Sequence, residues 1–359
     1  MDDAAGGRTS GLTQRRLSLL GTVLVLVVGA AIVVRTVETE RVFEAVRMAD
    51  VGLLAAAVGV YALSWPLRGH RYDQILGVMG RRCGRGFLTA AVFVSQLANL
   101  VVPARAGDGV RAYLLKQRRN VPYTTGAASL TVERLFDLLA LGFFRALAGV
   151  CLLLDARTLT SDQSNAAILG AGAVGGVALC GSLFVVVVAR QDWAIETWLR
   201  ERIGDSALST VVDAAVEFGV DVRVVAADPR AIGRIGVGSL AVWALDVLTA
   251  ILVLRAVTGL LSLSMLLAVG TLAVTVGNLA KVLPLSQGGI GLYEAAFTAL
   301  VVAVSPISAA TALAGAIVDH ALKNAVTVVG GAASALGLNF SIGTVGEEPA
   351  QPEPESSKF

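Results

Sequence analysis

Eight ionisable side chains, Glu133, Arg134, Asp137, Asp246, Lys281, Glu294, Asp319 and Lys323, lie inside or at the edges of long apolar runs. At the centre of a membrane helix such a group costs about 2.5–3.5 kcal/mol, so the set left unpaired would cost on the order of 20 kcal/mol, beyond a typical net stability of ~5–15 kcal/mol. These groups must pair, line water, or both. Asp319 and Lys323 have the i,i+4 spacing that lets opposite charges neutralise each other on one helical face. Glu133 and Asp137 have the same spacing but like charge, so they require a partner such as Arg105, Arg111 or Lys281, or a bound ligand.

Two polar breaks precede such charges. Pro103-x3-Gly107-Asp108-Gly109 comes before Glu133-Arg134-x2-Asp137, and Pro284-x3-Gly288-Gly289-x-Gly291 comes before Asp319-His320-x2-Lys323. Glycines at a break leave backbone N–H groups free at the start of the next helix, where the dipole and successive amides favour an anion. Arg105 and Arg111 add charge beside the first break and Lys281 beside the second, a setting that suits a phosphate. Asp108 reads as a helix cap, and Arg111 equally as an interfacial anchor or a ligand contact. His70 and His320 stand alone, and Cys83, Cys151 and Cys180 show no CxxC spacing. Zinc, haem, histidine-relay and disulfide chemistry find no pattern here, and no metal or cofactor is expected.

The elements that must position these groups are membrane helices. Of 359 residues, 55% are hydrophobic and 16% charged, against roughly 25% charged in soluble domains, and the mean hydropathy is +0.73. A net charge of +2 offers no broad basic surface, so nucleic acid is not an expected partner. Leu17–Val34 is long enough to cross a ~30 Å hydrocarbon layer and reads as a first membrane helix rather than a cleaved leader. Further apolar runs cover Val51–Leu67, Phe87–Val102, Ala127–Leu154, Ala166–Val188, Ile235–Leu254, Met265–Leu283, Gly291–Val304 and Ala309–Gly331. Residues 190–234 form a polar loop with an amphipathic, interfacial pattern, in which Asp228-Pro229 supplies a cap and first-turn proline for the next span.

Lys and Arg concentrate before residue 17 and in the segments 68–86, 103–119 and 190–234, which assigns all four to the cytoplasmic side. Arg68, Arg71, Arg81, Arg82 and Arg85 are taken as one loop in that count. The assignment holds if Phe87–Tyr113 is a re-entrant hairpin from one side and Met265–Val304 a hairpin from the other; a conventional eight- or nine-span count is the alternative. Matching breaks of opposite sense are the mark of inverted repeats whose broken helices meet near the midplane. The expected fold is an all-α polytopic helical bundle: a cytoplasmic segment 1–16, a membrane domain 17–335 with the cytoplasmic or interfacial loop 189–234, and a disordered acidic tail 341–359.

Pro103-x-Arg105-x-Gly107-Asp108-x2-Arg111, Glu133-Arg134-x2-Asp137 and Pro284-x3-Gly288-Gly289-x-Gly291-x2-Glu294 resemble the motifs of the lysylphosphatidylglycerol synthase transmembrane, flippase-like family over about residues 85–335. Ser286-Gln287 stands where that family often has a further proline. The resemblance implies translocation of a polar-headed lipid, such as an aminoacylated phospholipid, glycolipid or polyprenyl-linked lipid, across the cytoplasmic membrane. With no soluble synthase segment, it implies a transporter and not an enzyme. The candidate substrate-binding set is Arg105, Gly107, Arg111, Glu133, Arg134, Asp137, Lys281, Gly288, Gly289, Gly291, Glu294, Asp319 and Lys323. The expected partners are the lipid substrate, the bilayer and either a second copy or a separate lipid-synthesising enzyme. Competing readings are an integral-membrane lipid-modifying enzyme, by glycosyl or aminoacyl transfer, and a small-solute or ion transporter.

Overall fold

The computed structural model describes residues 39–102, 107–154, 209–259, 262–280 and 287–340. The runs at 17–34 and 166–188, the acidic tail, Arg105 and Lys281 lie outside them. The described residues form ten α-helices and no strand: α1 (Thr39–Arg47), α2 (Val51–Val78), α3 (Arg85–Val101), α4 (Gly107–Arg119), α5 (Tyr123–Leu154), α6 (Ser209–Ala227), α7 (Pro229–Thr258), α8 (Leu263–Ala280), α9 (Leu292–Val304) and α10 (Ala309–Gly337), with a 3₁₀ turn at Gln287–Gly289 before α9.

The chain is an all-α membrane protein. Helices α2, α7 and α10 have 28, 30 and 29 residues and are long and apolar enough to cross a membrane. At 1.5 Å per residue each exceeds ~40 Å, whereas α3, α8 and α9 reach only ~20–27 Å. Local chemistry sets several boundaries. Asp228 accepts a hydrogen bond from the Arg230 N–H at 2.8 Å with Pro229 at the first helical position, as the sequence predicts. Consequently Arg230 and Arg234 belong to α7, and the expected 190–234 loop ends sooner. Asp50 caps α2 through the Leu53 N–H, and Ser308 caps α10 through the Thr311 N–H.

Each broken run folds into a hairpin. Gly107 at the start of α4 donates its N–H to Asn99 Oδ1 of α3 at 2.9 Å, and a Cβ there would collide with the Ser95 carbonyl, so α4 returns directly along α3. In the second hairpin the Tyr293 ring of α9 lies against Gly277 of α8. The hairpins come from opposite ends of the bundle. One end holds the α2–α3 junction, tied by Arg85 to Asp73 at 3.5 Å, and the α4 terminus, tied by Arg118 to the Leu338 carbonyl at 2.6 Å. At the other end the Asp50 N–H donates to the Ala256 carbonyl, and Met265, Val304 and Ile307 share one apolar cluster. The tips meet inside: Gly288 lies against Leu100, the penultimate residue of α3, and adopts φ 62°, which glycine tolerates without strain.

One boundary departs from expectation. The arginines from residue 68 onward suggest a loop, yet α2 runs on to Val78 with Pro66 in its interior. The apolar face Tyr72, Ile75 and Leu76 packs into the core, and Trp65 stacks on Phe93 of α3 with ring centroids 3.7 Å apart. That burial outweighs the proline and carries Arg71 into the interior.

Candidate functional site

Three charge clusters stand among the described residues, and they gather most of the residues singled out from the sequence. The first joins α2, α4, α5 and α7. Glu133 bridges two guanidiniums, with Oε1 2.6 Å from Arg71 Nη2 and Oε2 2.5 Å from Arg111 Nη1. Asp137 Oδ1 accepts from Arg71 Nη1 at 2.5 Å and from the Trp243 indole at 2.9 Å. Arg134 forms a two-oxygen pair with Asp108 at 2.8 and 3.0 Å. Ser239 and Ser95 hydroxyls accept from Arg71 and Arg111 at 3.1 and 3.3 Å. The Arg111 guanidinium also sits over the Tyr72 ring at 4.9 Å. Three cations face three carboxylates, so the cluster is neutral as it stands.

Several expectations change here. Arg111 is 1% exposed and is no interfacial anchor. Asp108 serves as the counter-ion of Arg134, with no capping bond of its own among the described residues. Of the like-charged Glu133 and Asp137, Glu133 finds Arg111, but the partner they share is Arg71, which the run of arginines assigns to a loop. The period of Arg71, Tyr72, Ile75 and Leu76 on one helical face is the signal that could have found it.

The second cluster lies at mid-bundle. Lys323 pairs with Asp319 at 3.0 Å, as the i,i+4 spacing predicts, and more closely with Asp246 of α7 at 2.6 Å. The Tyr293 hydroxyl donates to Asp319 Oδ2 at 2.5 Å, and Asn278 Nδ2 approaches Asp246 Oδ2 at 3.5 Å. The third cluster is built on the second break. Glu294 Oε2 accepts from the Gly291 N–H at 2.7 Å, closing the first turn of α9, while Oε1 meets His320 Nδ1 at 2.6 Å. His320 Nε2 reaches the Gly288 carbonyl at 3.2 Å. Gly288, Gly289 and Gly291 all have positive φ, so the break is a backbone turn that only glycines follow easily. His320 therefore does not stand alone: the fold pairs it with a carboxylate 26 residues earlier, a spacing too long for any local motif to reveal. Both ring nitrogens face acceptors, an arrangement that the imidazolium form satisfies in full.

The arrangement places paired charges in the interior, where the first cluster joins the arm α4 to α2 and α5 and the third ties the turn before α9 to α10. No group of three or more metal-ligating side chains occurs among the described residues. A family model described as the lysylphosphatidylglycerol synthase TM region matches residues 18–331. The chain is also 43% identical over 358 residues to a Haloferax volcanii protein named Glycosyltransferase AglD. That match covers 94% of this chain and 57% of the relative, so the chain spans little more than half of the relative's length. The expectation of a transporter that is not an enzyme is corrected by this relative, whose name is that of an enzyme.

Proposed function

Because the chain belongs to the lysylphosphatidylglycerol synthase TM region family, we propose that it serves glycosyl transfer to a polar-headed membrane lipid, with the helical bundle holding the lipid. The observation that carries this reading is the 43% identity to a named glycosyltransferase across 94% of the chain. The geometry is compatible with it: long apolar helices give the lipid tail its solvent, and the interior charge clusters give its headgroup a place. The purified chain in lipid nanodiscs is to be supplied with an isoprenyl phosphate and a panel of labelled nucleotide sugars. Label appearing in a chloroform-extractable lipid is the expected result, and no labelled lipid with any donor would overturn the proposal.

A second reading, movement of a headgroup across the bilayer by the same protein, is favoured by one feature. Two hairpins from opposite ends meet at their tips, Leu100 against Gly288, as broken helices do in alternating-access proteins. Liposomes carrying the protein should expose a labelled glycolipid to an outside quencher faster than protein-free liposomes. Equal rates would remove this reading and leave glycosyl transfer standing.

A further inference from the structure

We propose that the Glu133 carboxylate is a placeholder for a phosphate group, and that the cradle formed by Arg71, Arg111, Ser95 and Ser239 is where a phosphate-headed lipid binds. The inference rests on the lipid-handling reading above and assigns its site.

Four observations carry it. First, Glu133 is a bridge: each carboxylate oxygen serves a different arginine, on α2 and on α4. Two guanidiniums converging on one anion is the arrangement that recognises phosphate, since each offers a planar fork of donors. Second, the cradle has donors that Glu133 does not use. Arg71 Nε and Arg111 Nε are buried with no hydrogen-bond partner, in side chains 1% exposed. A carboxylate has two oxygens and both are occupied; a phosphomonoester has three terminal oxygens and can reach a further donor. Third, Glu133 is held by guanidiniums alone. Asp137 also accepts from the Trp243 indole, whereas Glu133 has no hydroxyl, indole or backbone donor among the described residues. Fourth, its two partners stand on separate helices. Arg71 belongs to the long helix α2 and Arg111 to α4, so the bridge closes only while these two helices keep their relative positions.

Charge is conserved in the exchange. The six-residue cluster is neutral, and a phosphate monoanion replaces the negative charge of Glu133 once that side chain, parted from the two arginines, takes up a proton supplied by the buffer. The charged and titratable groups facing Glu133 are Arg71 and Tyr72 of α2, Asp108 and Arg111 of α4, and Arg134 and Asp137 of its own helix. The Arg134–Asp108 pair is the more exposed edge of the cluster, with side chains 34% and 25% exposed.

The test uses the full chain in detergent with farnesyl phosphate as the probe, farnesol as the uncharged control and inorganic phosphate as the lipid-free anion. A structural or substrate-contacting Glu133 would lose affinity when neutralised, but a placeholder would release the cradle. Glu133→Gln should therefore bind farnesyl phosphate about tenfold more tightly than wild type, while Arg71→Gln and Arg111→Gln bind it more weakly. Farnesol affinity should stay unchanged in all of them. Equal or weaker binding by Glu133→Gln overturns the proposal. If that variant does not fold, Glu133→Asp, too short to span both arginines, must show the same tightening or the proposal fails. Tightening for inorganic phosphate alone would keep the phosphate site and remove the lipid as its source. Tighter binding without glycosyl transfer leaves this site standing; transfer with unaltered binding removes the site and leaves the function.

Discussion

Arg71 and Glu133 are 62 residues apart in the chain, yet their side chains meet at 2.6 Å in a place closed to solvent. The pair binds α2 to α5, and through Arg111 it draws the first hairpin onto both. A buried ion pair is poor proof of net stability, because desolvation offsets much of the attraction, but removing one partner strands the other charge. Arg71→Met should therefore destabilise the bundle by about 3–5 kcal/mol. Arg85→Ala, which removes a pair whose arginine is 71% exposed, should change stability by no more than about 0.5 kcal/mol. Unfolding midpoints of both variants in one detergent check this, and similar losses would contradict the division between interior and surface charge.

The hairpin tips make a different demand. A Cβ on Gly288 would lie 3.0 Å from Leu100 Cδ2, on a backbone with φ 62°. Gly288→Ala should cost about 1–2 kcal/mol from the left-handed conformation alone, and more from the contact with Leu100. In a Leu100→Ala background only the conformational part should remain, so the two changes should be non-additive. Strictly additive losses would mean that the tips do not touch.

How far the sequence foretold the site varied with the range of the interaction. Asp319 and Lys323 were legible because four residues on a helix is a fixed distance, and the two breaks were legible because proline and glycine act locally. Arg71 was hidden by its neighbours: four other arginines between residues 68 and 85 suggested a loop, and only packing of Tyr72, Ile75 and Leu76 decides that α2 continues. His320 was hidden by distance, since its partners Glu294 and Gly288 come from another helix and a turn. Asp246 was seen as an interior charge, but nothing local to α7 points to Lys323.

Asp221 on the polar helix α6 gives a pH signature. Burial pushes its carboxyl above the usual carboxylate range; a hydrogen bond from Thr125 opposes the rise, Glu217 adds to it and Arg81 counters it. A folded state that holds its proton more tightly than the unfolded chain loses stability as pH rises from about 4, the unfolded value, through the folded one. At neutral pH the penalty is fully present, so Asp221→Asn should be more stable than wild type at pH 7 and indistinguishable from it near pH 3. Melting curves across that range test the sign, and a wild type that is the more stable at pH 7 would refute it.

Lys323 is the shared counter-ion of Asp246 and Asp319, on helices α7 and α10 that cross at mid-bundle. Lys323→Met keeps much of the side-chain volume but leaves two carboxylates without that ammonium, with an expected loss of about 3–5 kcal/mol. The loss is electrostatic in origin, so it should be reversible by removing charge rather than by restoring a cation. A triple variant, Lys323→Met with Asp246→Asn and Asp319→Asn, has no charge left at these positions, and the amide oxygen introduced by Asp319→Asn can still accept from Tyr293. It should recover at least half of the stability lost by Lys323→Met, because an uncharged set of similar volume replaces a buried ion cluster at little cost. Denaturant unfolding of the two variants decides the matter: a triple variant no more stable than the single one would show that Lys323 acts by packing and not by charge.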